Sequence, residues 1–351
     1  MRAACVNLRC RLAVGVLVAL AAAASSARAE AVGQYAVTKT LKVGGPGSWD
    51  YVTVDSQGQR LYLTRTTHTM VLEAATGKVI ADIPGQKRAH GVALVPQVGR
   101  GFITDGQEGT VTIFDLKTNE VLGKVAAADD ADGIIYDPAS NRVLVSCGDA
   151  KALVAIAPDV DPKAGKAEQV DLGGKPEFLA VDGVGKAFVN LVDKAEVAVV
   201  DTKAMKLLSK WPVAPAAQPV GLAIDPGKHH LFVGCRSGNL MVLNTADGKV
   251  LADLPIGKVN DACAFDSGTG DIFASCGDGT VTIAKETSAD KFEVIQKLET
   301  RRGAKTMGLD PSTHTAYLPA VEYQEGAQAA GQRPTAKLDS FIVLVAAPTA
   351  R

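Results

Sequence analysis

The chain lacks several features that would assign it to a common functional class. Its 37 Lys and Arg residues are balanced by 38 Asp and Glu, so a net charge of −1 gives no long-range attraction to nucleic acid or an anionic membrane. It contains no C-x-x-C and no C-x-x-C-H, which leaves thioredoxin-like redox chemistry and covalent haem without support. It also lacks the H-E-x-x-H zinc motif and the G-x-S-x-G nucleophile elbow. We therefore predict no catalytic residue and no nucleic-acid partner.

Long apolar runs are absent beyond the N-terminus. There, arginines precede an apolar segment at 13–24, which has the length of a signal-peptide core and is too short to span a membrane. The A-x-A pattern at 27–29 predicts cleavage before Glu30. We expect a signal peptide at 1–29, a single domain at 30–351, and a periplasmic or secreted protein with no transmembrane segment after cleavage.

Seven segments of the predicted mature chain repeat one pattern, an apolar strand, a turn and a second apolar strand. They read WDYVTVDSQGQRLYLTR, HGVALVPQVGRGFITD, DGIIYDPASNRVLVSC, EFLAVDGVGKAFVNL, VGLAIDPGKHHLFVGC, DACAFDSGTGDIFASC and KTMGLDPSTHTAYLPA. Aligned at the residue that ends the first strand, successive segments are 40 to 45 residues apart. This period is typical of four-stranded propeller blades. Helical repeats do not fit, because Val, Ile, Leu and Phe dominate the segments and Gly, Pro, Asp and Asn interrupt them.

Each repeat continues with two more predicted strands, such as Thr110 to Asp115 and Val121 to Val125 in the second repeat. We name the four strands A to D, from the axis outward. The last repeat ends after its C strand, Phe341 to Val345, whereas a lone strand, Tyr35 to Val43, precedes the first repeat. We therefore predict an all-β, seven-bladed β-propeller with four antiparallel strands per blade, closed by the N-terminal strand completing the last blade. The alternative, an open array of hairpins, would leave apolar faces bare.

The B strands of the seven repeats read LYLTR, GFITD, VLVSC, AFVNL, LFVGC, IFASC and AYLPA. They resemble the YVTN signature, in which an aromatic-aliphatic pair precedes Thr or Ser and Asn, although only Asn190 preserves the signature Asn. The segment GQRPTAKLDSFIVLV at 331–345 also resembles the C-terminus of bacterial YncE-like propellers. This resemblance covers residues 34–346 and implies an extracytoplasmic binding or scaffold protein rather than a named enzyme. The signature is structural, so it supports a fold better than a function.

The residue just before the apolar core of each A strand is ionisable in six of the seven repeats. In chain order the position holds Asp50, His90, Asp132, Glu177, Val220, Asp261 and Lys305. Propeller symmetry predicts that the six ionisable side chains surround the channel mouth, and we predict them as ligand-binding residues. A hard divalent cation fits such a carboxylate ring, and the candidate metal ligands are Asp132, Glu177, Asp261 and His90. Two alternatives stay open: a polar ligand whose anionic group meets Lys305, and ordinary polar residues at solvent-exposed strand starts.

Further ligand-binding candidates lie near the same face on the first blade. They are Trp49, Arg65 and His68, of which Trp and Arg are suited to stacking on or clamping a ligand. The alternative is that these side chains pack or lie in a solvated loop. Between strands B and C of the last repeat, residues 322–340 replace a short hairpin loop, which predicts a lid or, alternatively, a flexible surface loop.

Four cysteines remain in the predicted mature chain: Cys147, Cys235, Cys263 and Cys276. An even number in an oxidising compartment permits disulfides, but the sequence does not choose among the three connectivities. Cys147, Cys235 and Cys276 share one repeat position. They are candidates for a soft-metal site, but cysteines at such positions are more often small, half-buried apolar residues.

These observations favour a binding or scaffold protein for a protein, glycan or small-molecule ligand at the axial channel face. The alternative is a metal-dependent hydrolase or lactonase with an axial divalent cation that activates water. A third class, an accessory subunit of a periplasmic redox system, has no direct support. No cofactor is predicted apart from that divalent cation, and we expect a monomer.

Overall fold

A computed structural model describes residues 1, 33–163, 165–324 and 335–349. The predicted signal peptide beyond residue 1 and the middle of the predicted insertion lie outside the described residues. The described regular structure is one short 3-10 helix, Pro96–Val98, and otherwise β-strands, so the prediction of an all-β chain is confirmed. In this described part, no helix has the length and apolar character needed to cross a bilayer.

The described residues form twenty-six strands. In chain order they are β1 (Tyr35–Lys42), β2 (Val52–Asp55), β3 (Arg60–Glu73), β4 (Val79–Val95), β5 (Arg100–Asp105), β6 (Thr110–Asp115), β7 (Val121–Ala126), β8 (Ala131–Asp137), β9 (Arg142–Cys147), β10 (Ala152–Ile156), β11 (Glu168–Asp171), β12 (Pro176–Val181), β13 (Lys186–Leu191), β14 (Glu196–Asp201), β15 (Lys206–Pro212), β16 (Pro219–Asp225), β17 (His230–Cys235), β18 (Asn239–Asn244), β19 (Val250–Pro255), β20 (Asn260–Asp266), β21 (Asp271–Cys276), β22 (Thr280–Ser288), β23 (Lys291–Glu299), β24 (Gly308–Asp310), β25 (Thr315–Ala320) and β26 (Ile342–Pro348).

The strands form six antiparallel sheets in the described part of the chain, so the prediction of seven separate four-stranded blades is wrong. Five sheets have four strands, and the sixth has six, in the order β2-β3-β4-β5-β6-β7. This larger sheet arises because β3 and β4 run on for 14 and 17 residues and join strands that the sequence pattern treated as separate. Thr66 pairs with Ala89 where loops between strands were expected, although Thr66 has a left-handed φ of 56°.

The N-terminal strand belongs to one of the six sheets, whose order is β1-β26-β25-β24. Its register runs from Tyr35 opposite Pro348 to Lys42 opposite Ile342. The strand thus pairs with the C strand of the last repeat, but the predicted closure of a seven-bladed ring is wrong, because the described residues form six sheets rather than seven.

Asx turns explain why aspartate recurs between the first two strands of a repeat. The Asp55, Asp182 and Asp225 carboxylates each accept a backbone N–H from two or three residues further on, at 2.8 to 3.0 Å. At the one aligned position without aspartate, Val95, the 3-10 helix Pro96–Val98 makes the connection instead. Aspartate therefore recurs at this repeat position because its side chain stabilises the turn.

Most of the core lies between neighbouring sheets, and one cluster lies within the six-stranded sheet, where Tyr62, Ile83 and Phe114 belong to the same group of buried residues. Strands such as β17 and β21 are buried along their whole length, and outer strands such as β7 and β19 are largely exposed. The inner strands β2, β4, β8, β12, β16, β20 and β24 lie side by side in that order, and β24 also contacts β2. The starts of these inner strands therefore come together around a central channel.

The four cysteines are free and fully or almost fully buried, so none of the three possible disulfide connectivities is formed. Burial raises the pKa of Cys147, Cys235 and Cys276 to about 12.

At pH 8 we expect the native protein to react with a thiol-specific disulfide reagent at least about 100-fold more slowly than the chain unfolded in guanidinium, because the thiolate is the reactive form. Spectrophotometric titration measures both rates. Rapid labelling of any of these cysteines in the native protein would contradict the expectation.

Candidate functional site

The residues predicted to surround the channel form two side-chain groups. Asp50, His90 and Asp132 make up the first group, which we call the histidine cluster. Asp261 and Lys305 belong to the second. Glu177 lies between the two groups, because its strand β12 is between β8, which carries Asp132, and β16, which adjoins β20 with Asp261.

Hydrogen bonds from the B strand of one repeat to the inner strand of the next fix the backbone of these residues. A Thr, Ser or Asn near the end of a B strand donates to a carbonyl at the start of the next inner strand. These bonds are Thr64 Oγ1 to His90 O (2.7 Å), Thr104 Oγ1 to Asp132 O (2.6 Å), Asn190 Nδ2 to Val220 O (2.8 Å) and Ser275 Oγ to Ala304 O (3.0 Å). Thr306 Oγ1 likewise donates to Asp50 O at 2.7 Å. The side chains at the channel therefore project from a rigid frame.

The histidine cluster places one imidazole between two carboxylates. His90 Nδ1 lies 2.5 Å from Asp50 Oδ2 and 3.7 Å from Asp132 Oδ1. Burial opposes a charge on His90, but its hydrogen bond to Asp50 and the charge of Asp132 outweigh that cost and raise the pKa of His90 above its usual value. Gly106 leaves room for the ring, because a Cβ there would lie 2.8 Å from His90 Nε2.

Asp132 and Glu177 are unusually weak acids. Burial raises the pKa of Asp132 to about 6, although the nearby charge of His90 acts in the opposite direction. Burial, followed by the charge of Asp132, raises the pKa of Glu177 to about 7. Both carboxyl groups therefore titrate near neutral pH, and such perturbed acids concentrate at functional sites.

The Asp261 carboxylate forms ion pairs with two cationic side chains. Its Oδ1 accepts a hydrogen bond from Arg236 Nη2 at 2.9 Å, and its Oδ2 is bonded by Lys305 Nζ. Burial disfavours both cations, but Asp261 outweighs it and raises the pKa of Arg236 and of Lys305. This group carries a net charge of +1, so it favours an anion.

Tyr51 and Phe178 meet across the channel. They follow Asp50 and Glu177 in the chain, and their ring centroids are 4.5 Å apart at an interplanar angle of 88°. The two inner strands concerned, β2 and β12, are not neighbours, so the edge-to-face pair spans the channel. Burial, with a contribution from the surrounding carboxylates, raises the pKa of Tyr51 well above its usual range.

A cavity of about 840 Å³ opens beside the second group. Arg236, Lys305 and Asp261 form its polar wall, and Trp49 and Tyr323 contribute aromatic surface. The described ends of the predicted insertion also line the cavity, through residues 323 and 335–340. This volume lies within the range of about 300–1,000 Å³ that is usual for small-molecule sites.

The three candidates of the first repeat have different surroundings. Arg65 is fully buried, and its guanidinium donates to backbone carbonyls of residues 44–48. Arg65 therefore shapes the loop that forms one cavity wall. Trp49 packs against Phe341, with ring centroids 5.9 Å apart. His68 lies 3.8 Å from Asp82 and is not among the residues that line the cavity.

Sequence reasoning missed Arg236, although a signal for it exists. The residue directly after each B strand's aligned end is Thr66, Gly106, Gly148, Val192, Arg236, Gly277 or Val321. Arg236 is the one charged residue at this repeat position, where others are small or apolar. Comparing repeat positions on the connecting loops, and not only at strand starts, would have found it. The contact between Tyr51 and Phe178 had no such signal, because it joins repeats far apart in the chain.

Comparison with solved structures finds a similar fold in the hydrazine synthase of Kuenenia stuttgartiensis. The TM-score is 0.66, the sequence identity is 16%, and the match covers 79% of this chain and 92% of that chain. The chain has a β-propeller fold. At this identity the likeness shows the fold alone. No protein-family profile matches the chain, and no curated protein does.

Proposed function

We propose that this protein is an exported, YncE-like propeller that binds a small organic anion in the cavity beside Asp261. One observation carries the proposal: Arg236 and Lys305 both bond the single carboxylate of Asp261, which leaves one positive charge in excess on the cavity wall. An anionic group meets that excess charge without having to displace either existing bond.

The apolar wall favours an organic ligand over a bare inorganic ion. Trp49 and Tyr323 offer partly exposed aromatic rings, and Trp49 Nε1 is buried without an acceptor among the described residues. A ligand with a carboxylate or phosphate at one end and a ring or alkyl body at the other matches both walls. This ligand class includes acidic glycans and small metabolites, and a protein partner would present the same chemistry through an acidic side chain.

Export and family remain part of the proposal. The arginines, the apolar segment at 13–24 and the A-x-A pattern at 27–29 support a cleaved signal peptide and a periplasmic location. The B-strand sequences support the YncE-like assignment. A metal-dependent hydrolase is the second candidate function, and the histidine cluster favours it because carboxylates beside an imidazole are metal-ligand types.

The test uses the Arg236→Gln variant of the secreted chain. Thermal shift assays with a panel of aryl and alkyl carboxylates, uronic acids and phosphate monoesters identify which class raises the melting temperature. For that class, we expect Arg236→Gln to weaken binding by at least about tenfold in calorimetry, because a charge-assisted hydrogen bond contributes about 1.5–3 kcal/mol.

Lys228→Gln is the matched control, since Lys228 pairs with Glu286 in a different part of the molecule. Binding in this control should equal that of the wild type. Unchanged affinity in Arg236→Gln, or a response to neutral sugars alone, would refute an anion site at this wall.

A further inference from the structure

We infer that Asp50, His90 and Asp132 form a binding site for one divalent transition-metal cation such as Zn²⁺. One ligand atom from each residue lies within 4.8 Å of the others. Two carboxylate oxygens and one imidazole nitrogen are a donor set that suits Zn²⁺, Mn²⁺ or Ni²⁺. This inference is independent of the anion-binding proposal, because the cavity beside Asp261 contains none of the three residues.

The first argument is geometric. Tetrahedral coordination with bonds of about 2.1 Å separates the ligand atoms by roughly 3.4 Å. His90 Nδ1 is already 3.7 Å from Asp132 Oδ1 and 2.5 Å from Asp50 Oδ2, so a metal requires Asp50 to withdraw by about 1 Å while Asp132 moves little. The cation would replace the proton shared between His90 and Asp50 and leave a fourth coordination position open.

The second argument is an unmet hydrogen-bonding requirement. Asp132 Oδ1 is buried and has no hydrogen-bond partner among the described residues. The His90 side chain, whose Nδ1 faces this oxygen at 3.7 Å, is only 9% exposed. Buried polar atoms are almost always satisfied, and a cation between Asp132 Oδ1 and His90 Nδ1 would satisfy this oxygen.

The third argument compares charges around the channel. Asp261 is paired with Arg236 and Lys305, and Asp130 is paired with Arg88 and Lys175. In the described part of the chain, no Lys or Arg forms an ion pair with Asp50 or Asp132, which share His90 alone. The neighbouring carboxylates are thus paired with Lys and Arg side chains, whereas the histidine cluster keeps a net negative charge.

A second histidine group, His230, Glu286 and Asp290, meets the same distance criterion, but its Glu286 oxygens already have partners. Both Glu286 oxygens are occupied, one by Lys228 Nζ and the other by the Asp290 backbone N–H at 3.0 Å. Asp290 is also 63% exposed. This group is therefore satisfied without a metal, and it provides an internal control.

The experiment measures Zn²⁺ binding to the purified mature chain after treatment with EDTA and dialysis. We expect equilibrium dialysis with elemental analysis to give one tightly held Zn²⁺ per chain. Asp132→Asn and His90→Gln should each weaken that binding by at least about 100-fold, since loss of outer partners alone costs about 10–100-fold. His230→Gln should bind as the wild type does. Co²⁺ in place of Zn²⁺ should give visible absorption bands that disappear in Asp132→Asn.

Circular dichroism establishes that each variant is folded, and the near-isosteric Asp132→Asn decides the question if His90→Gln does not fold. Three results would overturn the inference: no stoichiometric Zn²⁺ on the wild type, equal binding in Asp132→Asn, or loss of binding in His230→Gln in place of the other two variants.

Discussion

Replacing Arg65 with alanine is expected to lower the free energy of unfolding by about 3–5 kcal/mol. The guanidinium is fully buried and stacks on Phe341, 3.7 Å from the ring centroid. It donates to five consecutive carbonyls, those of residues 44–48, at 2.8 to 3.1 Å. Its removal leaves buried acceptors without a donor and opens a cavity, and each effect costs a substantial part of a protein's stability. Chemical denaturation followed by intrinsic fluorescence measures the change.

Arg142→Ala is the control for that measurement. Arg142 forms one ion pair, at 2.9 Å, with Glu168, whose side chain is 65% exposed. Such a surface pair contributes at most about 1 kcal/mol, so this variant should unfold close to the wild type. If Arg65→Ala were as mild as Arg142→Ala, the loop at 44–48 would not depend on the guanidinium.

Replacing Glu177 with glutamine is expected to stabilise the protein at pH 8 by about 2 kcal/mol. Burial and the charge of Asp132 raise the pKa of Glu177 from 4.5 to about 7 in the folded state. The folded protein therefore keeps a proton that the unfolded chain releases, and stability falls as the pH rises from about 4.5 through 7. Glutamine never ionises, so the variant escapes this loss above pH 7, whereas the two proteins should be equally stable near pH 4. The full pKa shift would correspond to a larger gain in the free energy of unfolding, and we expect about 2 kcal/mol because Glu177 is only partly buried.

Denaturation curves at several pH values, in the presence of EDTA, test this expectation. Glu168→Gln is the control, because Glu168 is exposed and its replacement should give a difference that hardly changes with pH. A Glu177→Gln variant whose advantage is constant with pH, or is largest at pH 4, would show that the carboxylate is not disfavoured in the folded protein.

Part of the site was predictable because it repeats. Six of the seven aligned inner-strand starts are ionisable, and the structure brings five of the six into the two side-chain groups at the channel, with Glu177 between them. Their pairing was not predictable, since the ion pairs of Asp261 depend on which loop passes beside which strand. Arg65 illustrates the same limit. The sequence does not distinguish an arginine that faces a ligand from one that donates hydrogen bonds to the carbonyls of a neighbouring loop.

The number of blades was predicted wrongly for a related reason. Sequence periodicity reports how often a strand-turn-strand unit recurs, but it does not report whether neighbouring units share continuous hydrogen bonding. β3 and β4 merge the first two repeats through the pairing of Thr66 with Ala89. This pairing forms although Thr66 has a left-handed φ of 56°, which β-branched residues rarely adopt, so the local preferences of the link do not predict it.

The sequence by itself determined the all-β class, the propeller type of repeat and the recurring Asx turns, because these follow from local periodicity and from the conformational preferences of Asp, Gly and Pro. Only the tertiary structure decided the number of sheets, the partners of each channel carboxylate and the contact of Tyr51 with Phe178. Those features depend on distances between residues far apart in the chain. Burial and neighbouring charges, which set the acidity of Asp132 and Glu177, exist only once the chain has folded.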